Sequence, residues 1–498
     1  MRAFFDRVCS LSTNIFCIIV IGSVLLSIVS FTGFPMTNDE GTWSFIGRLW
    51  TDHGLLPYRD AVEQKTPFIY YVFTLSHLVF GEQIWFPRLL AVISILISTY
   101  LIYRIGKKIH SPEAGIVAAT LFVLIMPMSS VDGPAVETET FLNVFRLAAM
   151  YTLVSFVDHK RFPYVRFGLV GFFYGCAVAC KQIALLDLVP ILTFLYMLTR
   201  ENVKLFFKYG AAVILGAIIA TLTSIIPFLI SGGTIRDYID GAWIILTEKG
   251  LTAAHPATRI SGFLRHFFNP KLYFLSAGLI FFFSFRKKIS ENSIFVLPLF
   301  VWAIVEFLEY NAQGFYLDHH YKAFIPSWSI IFGIATITLL TILAKKIGSS
   351  SADEEKKNVK KYTAIIILLL MLFYIPFENS YYYSFRRYFR DGNDNSARDL
   401  GILVKNITHP GEYVYHWGIH NGPIYYYSER LAPGRYFSSY FLARPGALEE
   451  VQEALRVHEP TLVLVPIGST TPDWLMYLLK QNYNLEQTVY GHNIYRHL

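Results

Sequence analysis

The chain has 498 residues, 54% of them hydrophobic and only 16% charged, with a mean hydropathy of +0.41. Soluble domains carry roughly a quarter charged residues, so the composition excludes a soluble globular protein and indicates a polytopic α-helical membrane protein. The net charge of +7 is loop charge that sets orientation, and no nucleic-acid partner is expected.

A crossing needs about 20 apolar residues, and short loops rich in Lys and Arg stay in the cytoplasm. Arg2 and Arg7 place the N-terminus inside, and the apolar run over 12–31, which lacks a small-residue cleavage site, is a retained first span. The next basic cluster, Arg104, Lys107 and Lys108, is also inside, so an odd number of crossings separates the two. Of the two apolar runs between them, 67–80 is short and suits an interfacial helix, which leaves 85–104 to cross and 32–84 wholly outside. Further spans are expected over 112–130 and 139–157, then two more flanking Lys181-Gln182, with Lys181 near the outer turn. A span over 209–230 leads to a second outer loop at 231–269, and spans over 271–285, 293–310 and 321–343 follow. A polar linker of disordered composition, Lys345 to Lys361, precedes a last span over 362–377. This gives about eleven transmembrane helices, the N-terminus cytoplasmic and the C-terminus outside.

The four cysteines, Cys9, Cys17, Cys176 and Cys180, lie in or near apolar runs and read as small core residues. After residue 380 the composition changes. Residues 395–406 read as an amphipathic helix, YVYHW as a strand, 447–457 as a helix, TLVLVPIG as a buried strand and the tail TVYGHNIYRHL as another strand. The expected division is a transmembrane domain over 1–380 and a small outer-facing soluble α/β domain over 381–498. The sequence contains neither G-x-G-x-x-G nor a P-loop, so no nucleotide site is argued.

Four polar features fall on the expected outer side. Asp39-Glu40 is either an acidic pair of a site or the start of a helix running through WSFIGRLW, with Asn38 or Asp39 as cap. Lys65, before Thr66-Pro67, is either a phosphate ligand or an interfacial lysine that snorkels. Glu137 and Glu139 open a span, where a carboxylate also suits the helix dipole. The stretch with Gln313, Tyr316, Asp318, His319, His320, Tyr321 and Lys322 offers metal ligands, although adjacent histidines rarely bring both rings onto one ion. Lys181, inside a long apolar stretch, is by default functional or paired. A carboxylate can act as general base toward an acceptor hydroxyl, and Lys or Arg can neutralise a phosphate leaving group. A lipid carrying a phosphate-linked sugar meets these constraints, as does an anion transporter.

At these residues the sequence resembles the protein O-mannosyltransferase superfamily of membrane glycosyltransferases, including the bacterial aminoarabinose and galacturonic acid transferases of lipopolysaccharide. The matching features are Asp39-Glu40, Gly54-Leu-Leu-Pro57-Tyr58-Arg59-Asp60, Lys65-Thr66-Pro67 with Tyr70-Tyr71, Glu139 in ETFLNVF, Gly175 to Cys180-Lys181-Gln182, His320-Tyr321 with Pro326, and YHWGIHNGPIYYYSER. The resemblance implies a C-type glycosyltransferase fold and an inverting sugar transfer from a polyprenyl-phosphate-sugar donor to a lipid, glycan or protein acceptor. It implies Asp39 as general base, with Glu40 and Glu139 in the catalytic group. Lys65, Lys181, Arg259 and Arg265 would hold the donor phosphate. Tyr70, Tyr71, Gln313, His320 and Tyr321 would contact substrate. No cofactor is assigned, and a divalent cation beside Glu139 is left open. The implied location is the bacterial cytoplasmic (inner) membrane. Two readings compete: a transporter or flippase of lipid-linked sugars, which needs polar groups at the membrane midplane, and a polysaccharide polymerase or ligase.

Overall fold

The apolar runs separated by basic loops become helices in the computed structural model of the chain. The described residues are 16–17, 19–25, 27–28, 31, 34–81, 83–128, 131–133, 135–155, 163–252, 260–261, 264, 273–284, 287, 294–313, 317–346, 351–377 and 396–498. In chain order the helices are α1 (Asn38–His53), α2 (Pro67–Phe80), α3 (Trp85–Ile109), α4 (Pro112–Ile125), α5 (Thr138–Val154) and α6 (Tyr164–Cys180). A 3-10 turn (Gln182–Asp187) leads into α7 (Leu188–Thr199), followed by α8 (Val203–Ile230) and α9 (Ile235–Ile239), with a π-helical turn before α10 (Ile245–Thr252). Next come α11 (Tyr273–Ser284), α12 (Val296–Gln313), a second 3-10 turn (Asp318–Ala323), α13 (Ile325–Lys346) and α14 (Ala352–Phe377). The last part holds α15 (Ser396–Ile407), β1 (Val414–His416), α16 (Gly422–Ser428), α17 (Ala447–His458), β2 (Leu462–Pro466), α18 (Asp473–Asn482), β3 (Tyr483–Val489) and β4 (His492–His497).

Every crossing expected after residue 84 falls on a helix. Among the described residues, 85–109, 182–199, 203–230 and 325–346 are long and apolar enough to cross a membrane alone, so helix length accounts for four crossings rather than eleven. The chain is an integral membrane protein. Helix α4 is shorter: its 14 residues span about 21 Å, and every residue from Ala114 to Ile125 is buried. The linker expected before the last span is corrected, because α14 begins at Ala352. The Ser351 hydroxyl accepts from the Glu354 N–H at 3.2 Å, and Asp353, Glu354 and Glu355 oppose the positive helix end.

The chain divides into two units, 1–33 with 88–224 and 252–391, and 34–87 with 225–251 and 392–498. The boundary expected at 380–381 lies outside the described residues. In the first unit small residues bring helices together. A Cβ on Gly171 of α6 would lie 1.8 Å from the Val213 carbonyl oxygen of α8. One face of α5 carries Glu139, Asn143 and Arg146, at the i, i+4, i+7 spacing of a helix stripe, and all three are sealed from solvent.

The second unit contains a four-stranded sheet of order β1-β2-β4-β3, parallel between β1 and β2 and antiparallel elsewhere. Alternate residues of β2 feed two cores: Leu462 and Leu464 pack with Leu400, Val404, Ile424 and Ile494, while Val463 and Val465 pack with Val451, Leu455, Leu475 and Leu479. The tail expected as one strand is a β3–β4 hairpin, turned by Tyr490 and Gly491, both at positive φ. In the same unit α1 lies against α16. A Cβ on Gly41 would sit 2.3 Å from the Pro423 nitrogen, and the Asn38 side chain accepts from the Gly422 N–H at 3.1 Å. Phe45 stacks on Tyr425 at 5.0 Å, and the Arg48 guanidinium donates to the Tyr425 and Tyr426 carbonyls at 2.7 Å each. These bonds satisfy carbonyls at the C-terminal end of α16.

Candidate active site

In the second unit the start of α1 presents Asp39. The cap is Thr37, not Asn38 or Asp39. The Thr37 hydroxyl accepts from the Glu40 N–H, and the Glu40 carboxylate accepts from the Thr37 N–H, a capping box. This uses the fully buried Glu40 to fix the helix start and leaves Asp39 free of the capping role. Asp39 is 36% exposed, and its Oδ2 lies 3.7 Å from the Lys65 Nζ.

Lys65 is positioned by the loop ahead of α2. The Lys65 N–H donates to Glu63 at 3.1 Å, its carbonyl accepts from the Tyr58 hydroxyl at 2.7 Å, and its ammonium lies 5.6 Å from the centre of the Trp43 ring. Tyr70 is fully buried and donates to Glu63 at 2.7 Å, so it supports this loop and offers no open face to a substrate. Tyr71 is half-buried, 5.6 Å from the Trp50 ring. Tyr440 was not foreseen: its hydroxyl hydrogen-bonds Gln64, and burial raises it while the charge of Lys65 opposes that rise.

In the first unit Lys181 breaks the chain between α6 and the following 3-10 turn, with extended backbone (φ −158°, ψ 133°). Its buried ammonium donates to Oε1 of Glu139, while the Thr138 hydroxyl donates to Oε2 at 2.9 Å. The 3-10 turn at 318–323 brings in the histidines. His319 Nδ1 lies 3.3 Å from Asp132 and 4.0 Å from Glu137. Buried Lys322 donates to the Asp132 carbonyl at 2.8 Å, and its own carbonyl accepts from Asn143 at 2.7 Å. Burial pushes the His319 imidazole down, but Glu137, the Asp132 hydrogen bond and Glu139 outweigh it, and the net shift is upward. Asp132 is the complement. Burial pushes its carboxyl up, and the His319 hydrogen bond with the Lys322 charge brings it below the usual carboxylate value.

Adjacent histidines do converge here. The His319 and His320 rings are nearly perpendicular, 86° apart, with centroids at 4.5 Å. One ligand atom from each, with one from Glu139, lie within 4.8 Å of one another. Two imidazoles and a carboxylate suit a zinc-like cation, although Lys181 already occupies Oε1 of Glu139. Tyr321, expected to contact substrate, is buried and stacked on Tyr310 at 5.1 Å. Arg259, Arg265 and the Gln313 side chain lie outside the described residues.

The sequence reading overlooked Arg146, although a charge inside an expected span was a signal. Its Nε donates to Asp187 at 2.7 Å, its Nη1 to Glu306 at 3.1 Å and to the Ala323 carbonyl at 2.6 Å, and its Nη2 to Glu309. Ser327 also donates to Glu306. Arg146 thereby ties α5 to the segments that carry Lys181 and His320.

The family described as dolichyl-phosphate-mannose-protein mannosyltransferase matches residues 64–229. A comparison with curated protein sequences gives no match. The chain is similar in structure to ArnT from Cupriavidus metallidurans bound to undecaprenyl phosphate, with TM-score 0.65 and 13% identity over 96% of this chain and 97% of that one. The apo form of the same ArnT gives TM-score 0.68 and 13% identity over 97% and 98%. The Archaeoglobus fulgidus oligosaccharyltransferase tethered to an acceptor peptide gives TM-score 0.54 and 11% identity over 90% of this chain and 68% of that one. The chain shares the fold of these ArnT structures, and its residues 64–229 match the dolichyl-phosphate-mannose-protein mannosyltransferase family.

Proposed function

We propose that this protein is a glycosyltransferase that moves a sugar, hexosyl or pentosyl, from a polyprenyl-phosphate-linked donor to a hydroxyl of a lipid, glycan or protein acceptor. The observation that carries the reading is Asp39, an accessible carboxylate at a capped helix start with Lys65 at 3.7 Å. The acceptor O–H gives its proton to Asp39 as its oxygen attacks the sugar's anomeric carbon. The bond from that carbon to the phosphate oxygen breaks, and the lipid phosphate leaves with the electron pair. Lys65 and Lys181, with Arg259 and Arg265, neutralise that phosphate, and Glu40 positions Asp39 through the capping box. Tyr71, Gln313 and His320 contact substrate. A divalent cation, if present, would be held by Glu139, His319 and His320 and would supply Lewis-acid stabilisation of charge.

The matched family description names a lipid-phosphate donor, and the similar ArnT and archaeal oligosaccharyltransferase bind undecaprenyl phosphate and dolichol-phosphate. We further propose that transfer occurs at the periplasmic face of a bacterial inner membrane, with the N-terminus cytoplasmic, residues 1–380 transmembrane and 381–498 an outer soluble domain. The transporter reading draws on the buried Arg146 cluster, but the side chains of Arg146, Glu306 and Glu309 are 0% exposed and line no wet path of the kind transport needs.

The reading is tested with purified protein in phospholipid vesicles, supplied with a polyprenyl-phosphate-sugar and an envelope extract. Equal release of free polyprenyl phosphate and glycosylated acceptor is expected. Passage of intact donor across the bilayer without bond cleavage contradicts it.

A further inference from the structure

Outside the acidic and basic groups already described, the sheet of the second unit carries a pair of histidines that the proposed transfer does not use. His416 ends β1 and His492 begins β4. The two strands flank β2, where His416 is in register with Leu464 and His492 with Pro466. Both imidazoles thus stand at one end of the sheet, at the carboxyl ends of the parallel pair β1 and β2. In open α/β sheets that end is where ligands bind.

The two Nε2 atoms face each other at 3.1 Å. Two imidazole nitrogens on one zinc ion, each at about 2.0–2.1 Å in tetrahedral geometry, are separated by about 3.3 Å, so little adjustment brings both onto one ion. The other nitrogen of His492 fits this use. His492 Nδ1 lies 2.9 Å from the Tyr490 carbonyl oxygen, which can only accept. Nδ1 therefore carries the hydrogen and Nε2 presents a lone pair, the ligand orientation that a carbonyl partner enforces at metal sites. His416 Nδ1 is buried without a hydrogen-bond partner, and the Gly418 backbone turns beside it, where a Cβ would lie 3.5 Å from that nitrogen. His416 is buried and His492 half-buried, so the seat opens to solvent on the His492 side. A third imidazole, His420, is exposed on the loop after β1.

We propose that His416 and His492 form a seat for a divalent transition-metal ion of the zinc class, separate in sequence and in structural unit from Glu139, His319 and His320. The ion would link β1 to β4 across β2.

The test uses the full-length protein in detergent, stripped with chelator and then titrated with Co²⁺ or Zn²⁺. Wild-type protein is expected to bind one ion that His492→Ala loses, shown by tetrahedral Co²⁺ absorption bands and by metal content per chain. Zinc is also expected to raise the melting temperature of wild type but not of His492→Ala. His492 is half-buried at a strand start, so its variant folds, and an unchanged melting temperature without metal verifies this. His319→Ala is expected to keep this ion. Equal metal content in wild type and His492→Ala overturns the proposal, as does loss of all bound metal in His319→Ala.

Discussion

The Lys181 ammonium donates to the Glu139 carboxylate, across 42 positions of sequence. Both groups are buried, so neither is a surface charge that salt and water would screen. The pair is joined to the Arg146 network through α5, and through Asn143 to the turn with the histidines. Lys181, Glu139 and the Arg146 network are therefore linked through one helix.

If Lys181 neutralises a lipid phosphate, Lys181→Met lowers affinity for a polyprenyl phosphate by about tenfold or more, equivalent to about 1.4 kcal/mol. The measurement is a binding titration in detergent with the lipid phosphate. Unchanged affinity removes Lys181 from the phosphate-binding role.

Arg146 is the hub of a buried ion network, and removing one partner leaves uncompensated charge. Arg146→Met is expected to destabilise the fold by about 3–5 kcal/mol, read as a lowered unfolding temperature. Arg146→Lys, which keeps the charge but loses the fork, lies between that variant and wild type. An Arg146→Met protein as stable as wild type contradicts the network's structural role.

The His319 pair gives a pH signature. The folded imidazole is raised above its ordinary value of 6.5 by Glu137, Asp132 and Glu139 against burial and Lys181. Its contribution is fully present below that ordinary value and is lost as pH rises through the folded value. Asp132 is lowered from 3.8, so its contribution is present above that value and fades as pH falls through its folded one. Thermal stability is expected to decline from mildly acidic pH toward alkaline pH, with the decline reduced in His319→Gln. An identical pH profile in that variant contradicts the assignment.

Much of this was legible in the sequence because helices in an apolar solvent must announce themselves as apolar runs. The pairing of Lys181 with Glu139 was not legible, since it depends on how α5 meets the break after α6. Both residues were still visible as charges beside or inside apolar stretches. Arg146 carried the same signal and was overlooked because its neighbours read as an ordinary span. The placement of Glu40 turned on cap chemistry: Thr37 and Glu40 have capping-box spacing, which the adjacent Asn38 and Asp39 obscured. In the C-terminal region, β2 was evident from its apolar run. Helix α18 was missed although it carries the apolar run Trp474 to Leu479, and the β3–β4 turn was hidden in a stretch whose pattern only the sheet resolves. The small residues Gly41 and Gly422 carried no chemistry of their own, yet their close approach sets where Asp39 stands.

The central claim is that Asp39 takes the acceptor's proton. The most direct measurement is turnover of Asp39→Asn with purified polyprenyl-phosphate-sugar and acceptor, alongside its unfolding temperature. The account predicts wild-type stability, because Thr37 and Glu40 rather than Asp39 cap the helix, and a loss of transfer of at least 100-fold, on the order of what a general base contributes. Normal turnover by the folded variant would contradict it.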